Sequence, residues 1–120
     1  MRVVVSSLGP TLEDWVDEHF GRARYLLVID TETLEVQAVD NSANCQALQG
    51  AGFGAAEIVT NHGAAAVITG HLGPNAYRAL QIAGVPGHDG TGMSVRDAVA
   101  AFANGELAAL AEGEARSKTE

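Results

Sequence analysis

The stretch QGAGFGAAEIVTNHGAAAVITGHLGPNAYRAL, residues 49 to 80, constrains the fold more than any other part of the chain. From about Gly50 to His62, Ala51, Ala55, Ile58 and Val59 recur at helical spacing. The apolar run AAVIT then reads as a buried strand, and GPNAYRALQIAG as a second helix, with Pro74 near its start and Gly84 near its end. Helix, strand and helix in this order call for right-handed crossovers onto a parallel sheet.

The flanking segments supply the rest of that sheet. Val3, Val4 and Val5 are consecutive β-branched residues, as in a central strand buried on both faces. YLLVID and LEVQAV, joined by the turn DTET, form an antiparallel hairpin. Thr11 with Asp14 resembles a capping box, and Leu12, Trp15, Val16 and His19 recur as on a short helix ending near Gly21. VPG reads as a fifth strand and HDGTGM as a loop. Ser94 and Asp97 open a helix with Val95, Ala98, Val99 and Phe102 inward, and GELAALA reads as a last short helix. The expected order is βαββαβαβα, an α/β fold with a five-stranded mixed sheet in the order 3-2-1-4-5 and strand two antiparallel. Residues 1–110 are expected as one domain and 111–120 as a polar tail.

Composition narrows the function. A length of 120 residues, 47% of them hydrophobic, suits one globular domain. A net charge of −8 with scattered basic residues argues against nucleic acid or an anionic membrane as partner. No apolar run approaches the ~20 residues of a membrane span. The single cysteine, Cys45, makes no internal disulfide, which suits a reducing compartment and a cytoplasmic location.

Open α/β sheets bind ligands outside the carboxyl ends of their parallel strands, near the topological switch point, here between strands one and four. That geometry sends His19, Arg22, Cys45, His71 and His88 to one rim and His62 to the opposite edge. GAGFGA follows a loop and not a strand, so it fails as a dinucleotide fingerprint and no nucleotide is expected. Two readings of the glycine-rich helix starts near Gly50 and Gly73 stay open. They are close packing joints, or their N–H groups and helix dipoles form an anion cradle. No H-x-x-x-H or C-x-x-C spacing suggests a closed zinc site, whereas a thiolate at Cys45 would favour soft metals. Ser6 and Ser7 lack a nucleophile-elbow context, so hydrolase chemistry is weakly supported.

Taken together, HFGRARYLLVID, DNSAN, QGAGFGAAEIV, GAAAVITGHLGPNAYRALQIAGV and SVRDAVAAFANGEL resemble the dinitrogenase iron–molybdenum cofactor biosynthesis family. The nearest branch is that of its small stand-alone members, which include the molybdenum–copper orange proteins. The resemblance spans about residues 2 to 110 and implies a ribonuclease-H-like three-layer fold without ribonuclease activity. It also implies binding or carriage of an anionic molybdenum–copper or iron–molybdenum sulfide cluster without catalysis. The family motifs carry over onto Phe20, Gly21 and Arg22, onto Asn41 and Asn44, and onto Gln49, Gly50, Ala51 and Gly52. They carry over further onto Thr69, Gly70, Gly73, Pro74 and Ala76. Phe20, Gly21, Arg22, Asn44, Gly50, Gly52, Gly70, His71 and Gly73 are the expected cluster-binding residues, and Cys45, His71 and His88 the candidate metal ligands. A cluster donor or acceptor protein is a further expected partner. The alternative is a cluster-free, protein-binding regulatory module of the same fold. Met93-Ser94 stands where the family usually has Gly-Thr.

Overall fold

The computed structural model describes residues 1–46 and 50–111. Five strands, β1 (Arg2–Ser7), β2 (Tyr25–Asp30), β3 (Val36–Asp40), β4 (Ala66–Thr69) and β5 (Gly87–Asp89), form one sheet in the order β3-β2-β1-β4-β5. β1 pairs in parallel with β4, and β4 with β5, while β2 is antiparallel to both β1 and β3. This is the expected topology. The helices are α1 (Ser42–Cys45), α2 (Ala51–Asn61), α3 (Pro74–Ala83) and α4 (Val95–Ala103).

The three valines show how the sheet divides the core. Val4 belongs to a cluster with Leu26, Ala55, Val59, Val67 and Leu80, beneath α2 and α3. Val3 and Val5 belong to the other cluster, with Leu27, Ile68, Ala98 and Val99, beneath α4. Alternation along each strand thus serves two apolar layers, which explains why β1 carries no polar face. α3 begins with Pro74 and ends on Gly84 at φ 77°, and the Ser94 hydroxyl accepts from the Asp97 N–H to cap α4.

Four expectations are corrected. No helix forms between Thr11 and Gly21. The Asp14 carboxylate does turn back onto the Thr11 N–H and hydroxyl, as in a capping box, both at 2.8 Å. The carbonyls that would continue the helix are taken elsewhere. Arg96 donates to the Leu12 carbonyl, Val95 to that of Asp14 and Leu8 to that of Trp15. The segment GELAALA is not helical through residues 105–111 either. Asp89 donates to Ala108 and Leu110 to Gly87, so the chain lies along β5 with Leu110 buried. β5 lies two residues later than VPG, because the left-handed cap at Gly84 commits the Val85 N–H to Leu80. The polar stretch 41–49 begins with the single turn α1. Gln49 and the tail 112–120 lie outside the described residues.

Candidate functional site

The carboxyl ends of β1 and β4 open onto a cleft of about 370 Å³. Its floor and walls come from three segments that are distant in sequence: His19 to Arg22, Gly50 to Gly52, and His71 with Gly73 to Ala76. A bridge between His19 and His71 fixes the first segment against the third. The first and second interlock through glycine. A Cβ at Gly21 would stand 2.9 Å from the Gly52 nitrogen and 3.0 Å from the Ala51 carbonyl carbon. A Cβ at Gly52 would in turn stand 3.1 Å from both the nitrogen and the Cβ of Ala76, where α2 meets α3.

The two glycines that begin the helices behave differently. A Cβ at Gly50 or at Gly73 would meet no atom within 4 Å. Gly50 adopts φ 85°, a left-handed conformation that favours glycine, whereas Gly73 adopts an ordinary φ of −68°. Both N-cap residues are glycines, so neither helix is capped by the side chain of its own N-cap residue. The close-packing reading applies at Gly21 and Gly52 and not at Gly50 or Gly73. Gly21 and Gly52 are packing joints, while Gly50 and Gly73 begin α2 and α3 beside one cleft with open space where a Cβ would stand.

The buried side chain of Asn41 holds the HFGR segment in place. Its Nδ2 donates to the Gly21 carbonyl at 3.2 Å and to that of Ala23 at 2.8 Å, and its Oδ1 accepts from Asn44 at 2.8 Å. The Arg22 Nη1 donates to the Cys45 carbonyl at 3.2 Å, which ties α1 to the cleft edge. The side chain of His19 is exposed, with Nδ1 3.5 Å from an Asp17 carboxylate oxygen. Among the described residues no Asp or Glu lines the cleft.

Of the expected cluster-binding residues, Phe20, Gly21, Arg22, Gly50, Gly52, His71 and Gly73 line the cleft. Asn44 and Gly70 do not. The Asn44 amide lies over Gly54, in the space a side chain there would fill. Gly70 packs against Thr91 and Glu18, where a Cβ would stand 2.7 Å from the Thr91 hydroxyl and 2.8 Å from the Glu18 Cα. The candidate metal ligands are not brought together. His88 lies within β5 and stacks edge-on against Phe102 of α4, on the other side of the sheet from the cleft. Burial lowers its pKa below the ordinary 6.5, and its Nδ1 is buried without a hydrogen-bond partner. Among the described residues no three His, Cys, Asp or Glu side chains converge as a metal site. His62 lies at the opposite edge, as expected, beside Arg2, Asp30 and Glu35, with its carbonyl accepting from Arg2. Pro74, Asn75 and Ala76 also line the cleft. Asn75 was not singled out by the sequence, and its place directly after the helix-initiating Pro74 was the available signal.

Fold and cleft define a small α/β protein of ribonuclease-H-like topology with a glycine-lined cleft at the switch point. The chain matches the family described as dinitrogenase iron-molybdenum cofactor over residues 1–105 and belongs to it. It is similar to the apo form of the orange protein from Desulfovibrio gigas, with 38% identity, a TM-score of 0.89, and coverage of 94% of this chain and 95% of that one. A provisional NifB protein from Thermotoga is 31% identical at a TM-score of 0.78, with coverage of 91% and 92%. An uncharacterized protein of Methanocaldococcus jannaschii is 26% identical over 92 residues, covering 74% of this chain and 77% of that one. No helix among the described residues is long and apolar enough to cross a membrane.

Proposed function

We propose that this chain is a cytoplasmic binding and carrier protein for an anionic metal–sulfur cluster of the molybdenum–copper or iron–molybdenum sulfide type. It acts in cluster assembly or delivery and catalyses no reaction. The observation that carries this reading is the pair of helix N-termini, each begun by glycine, beside one cleft with no carboxylate among its described lining residues. Each N-terminus contributes roughly half a positive charge and outward-facing N–H donors, and sulfide accepts from such donors. Arg22 adds a full positive charge at the edge. With no three-ligand set among the described residues, the cargo is held by hydrogen bonds and charge, with His19 and His71 as the imidazoles in reach. Family membership and the likeness to the orange protein support the same reading.

The test is anaerobic titration with tetrathiomolybdate and Cu(I), followed by visible spectroscopy. New charge-transfer bands are expected. Arg22→Gln should weaken binding roughly two- to fivefold, the range of an exposed charge contact. Gly73→Asp, which sets a carboxylate in the cleft, should abolish it. The proposal fails if no bands appear, or if neither substitution alters them.

A further inference from the structure

The rim has a second half, on the α4 side of the sheet, and it displays apolar surface. Trp15 is 57% exposed and Leu8 60% exposed. Tryptophan is highly buried on average, so an exposed one on a rigid support is informative. The support here is rigid. Ser7 bridges Val16, Leu8 donates to the Trp15 carbonyl at 3.0 Å, and Trp15 bridges Ser94 on its other side. Leu8 and Trp15 are thus cross-strand neighbours in a short ladder stitched to the start of α4. The backbone that carries the exposed indole is held from two sides.

The surroundings are one-signed. Residues 8–19 and 89–97 carry Glu13, Asp14, Asp17, Glu18, Asp89 and Asp97 against a single basic residue, Arg96. Arg96 is already paired with Glu13. Glu18 and Asp97 are exposed, and Asp97 begins α4 beside the Trp15–Ser94 bridge. An exposed aromatic and aliphatic pair on a backbone held in place, within segments rich in carboxylates, is complementary to an apolar side chain flanked by Arg or Lys. This surface adjoins the cleft through Asp17, whose carboxylate accepts from the His19 N–H at 2.9 Å. Within the 8–19 segment the chain passes directly from the acidic collar to the cleft wall.

We propose that the Leu8–Trp15 ladder is a docking surface for a protein that presents an apolar residue within a basic patch, seated beside the cleft so that cargo passes between the two, the passage of cargo resting on the carrier function proposed above. Trp15 is the only tryptophan, so its emission reports on this surface alone. The probe is a synthetic peptide of repeated Leu-Arg-Arg-Leu units, compared with a Leu-Glu-Glu-Leu counterpart and with oligoarginine. The cationic amphipathic peptide should shift Trp15 emission to the blue, and the anionic one should not. Oligoarginine should bind more weakly, because it lacks the apolar contact. By calorimetry, Trp15→Ala should weaken the interaction about tenfold or more and Leu8→Ser about fivefold. Glu18→Gln with Asp97→Asn should lower affinity about threefold, while Glu32→Gln with Glu35→Gln, at the β2–β3 turn, should leave it unchanged. The proposal is overturned by an unshifted Trp15 emission, or by equal losses from the two charge pairs, the mark of non-specific attraction to an acidic protein. Tetrathiomolybdate binding by Leu8→Ser should match that of the unaltered chain, so the docking surface and the cluster site stand or fall separately.

Discussion

Gly21→Ala and Gly73→Ala put the same methyl group on two walls of one cleft, and the structure gives them opposite consequences. At Gly21 the new Cβ would stand 2.9 Å from the Gly52 nitrogen and 3.0 Å from the Ala51 carbonyl carbon. Both are backbone atoms in the first turn of α2, and neither can swing aside as a flexible side chain would. Relief requires the HFGR segment to lift from α2, against the Asn41 bonds that hold it down. Overpacking of this kind costs about 1–3 kcal/mol. For a domain of this size that is a fall in Tm on the order of 5–10 °C. At Gly73 the Cβ meets nothing within 4 Å, and φ is −68°. Lower entropy of the unfolded chain favours alanine there by about 0.4–1 kcal/mol. The poorer quality of alanine as an N-cap costs a similar amount, so the net change is near zero. Thermal unfolding followed by circular dichroism measures both, and tetrathiomolybdate titration of the same samples measures the cleft. Gly73→Ala should fold as the unaltered chain does and bind more weakly, since the methyl stands on a lining residue. If Gly73→Ala lost stability while Gly21→Ala did not, the division of the glycines into packing joints and open helix ends would be wrong.

Other outcomes follow from single side chains. Asn41→Ala leaves the Gly21 and Ala23 carbonyls without their donor and should cost about 2–4 kcal/mol in urea unfolding. His88 is held neutral by burial, so its folded pKa lies below the unfolded 6.5. Its contribution to stability is complete above 6.5 and is lost as the pH falls through the folded value, because the unfolded chain takes up the proton first. His88→Gln should therefore flatten the decline of stability below 6.5, read as the difference between the two proteins' Tm profiles. Because the whole chain is acidic, the association rate of tetrathiomolybdate should rise with added salt in stopped-flow traces, the reverse of an electrostatically steered encounter.

What the sequence showed depended on how local the cause was. The sheet order followed from alternation and crossover rules, because Val3 to Val5 and AAVIT carry their own periodic pattern. The missing helix at Thr11 was invisible for a physical reason. The capping contact does form, but Leu12, Asp14 and Trp15 give their carbonyls to partners outside the segment, and helix propagation depends on those carbonyls. His88 was displaced from the rim by a two-residue shift in β5, set at Gly84. His88 thereby lies inside the strand opposite Ile68 and not in the loop beyond it, and its ring stacks edge-on against Phe102. The cleft was legible as a rim of glycines and histidines. Which glycines touch backbone and which face open space was not, because that depends on the approach of Gly21 to Gly52 and of Gly52 to Ala76 across three separate segments.

The charge distribution resolves an apparent conflict between an acidic chain and an anionic cargo. A net charge of −8 repels an anion at long range, yet screening cuts such effects beyond roughly 8 Å at physiological salt. Binding then depends on what lies within a few ångströms, and there the cleft offers two helix ends, Arg22 and two histidines, with no carboxylate among its described lining residues and that of Asp17 at its edge, 3.5 Å from the His19 Nδ1. Carboxylates are frequent instead in segments 8–19 and 89–97, which carry Trp15 and the start of α4. The sheet separates the two halves, and the His19–His71 bridge marks their border. An anion that dwelt on the acidic half would be repelled, and a basic protein docked there would sit next to the cleft without filling it. The local sign of the field, and not the total charge, decides which ligand each half admits.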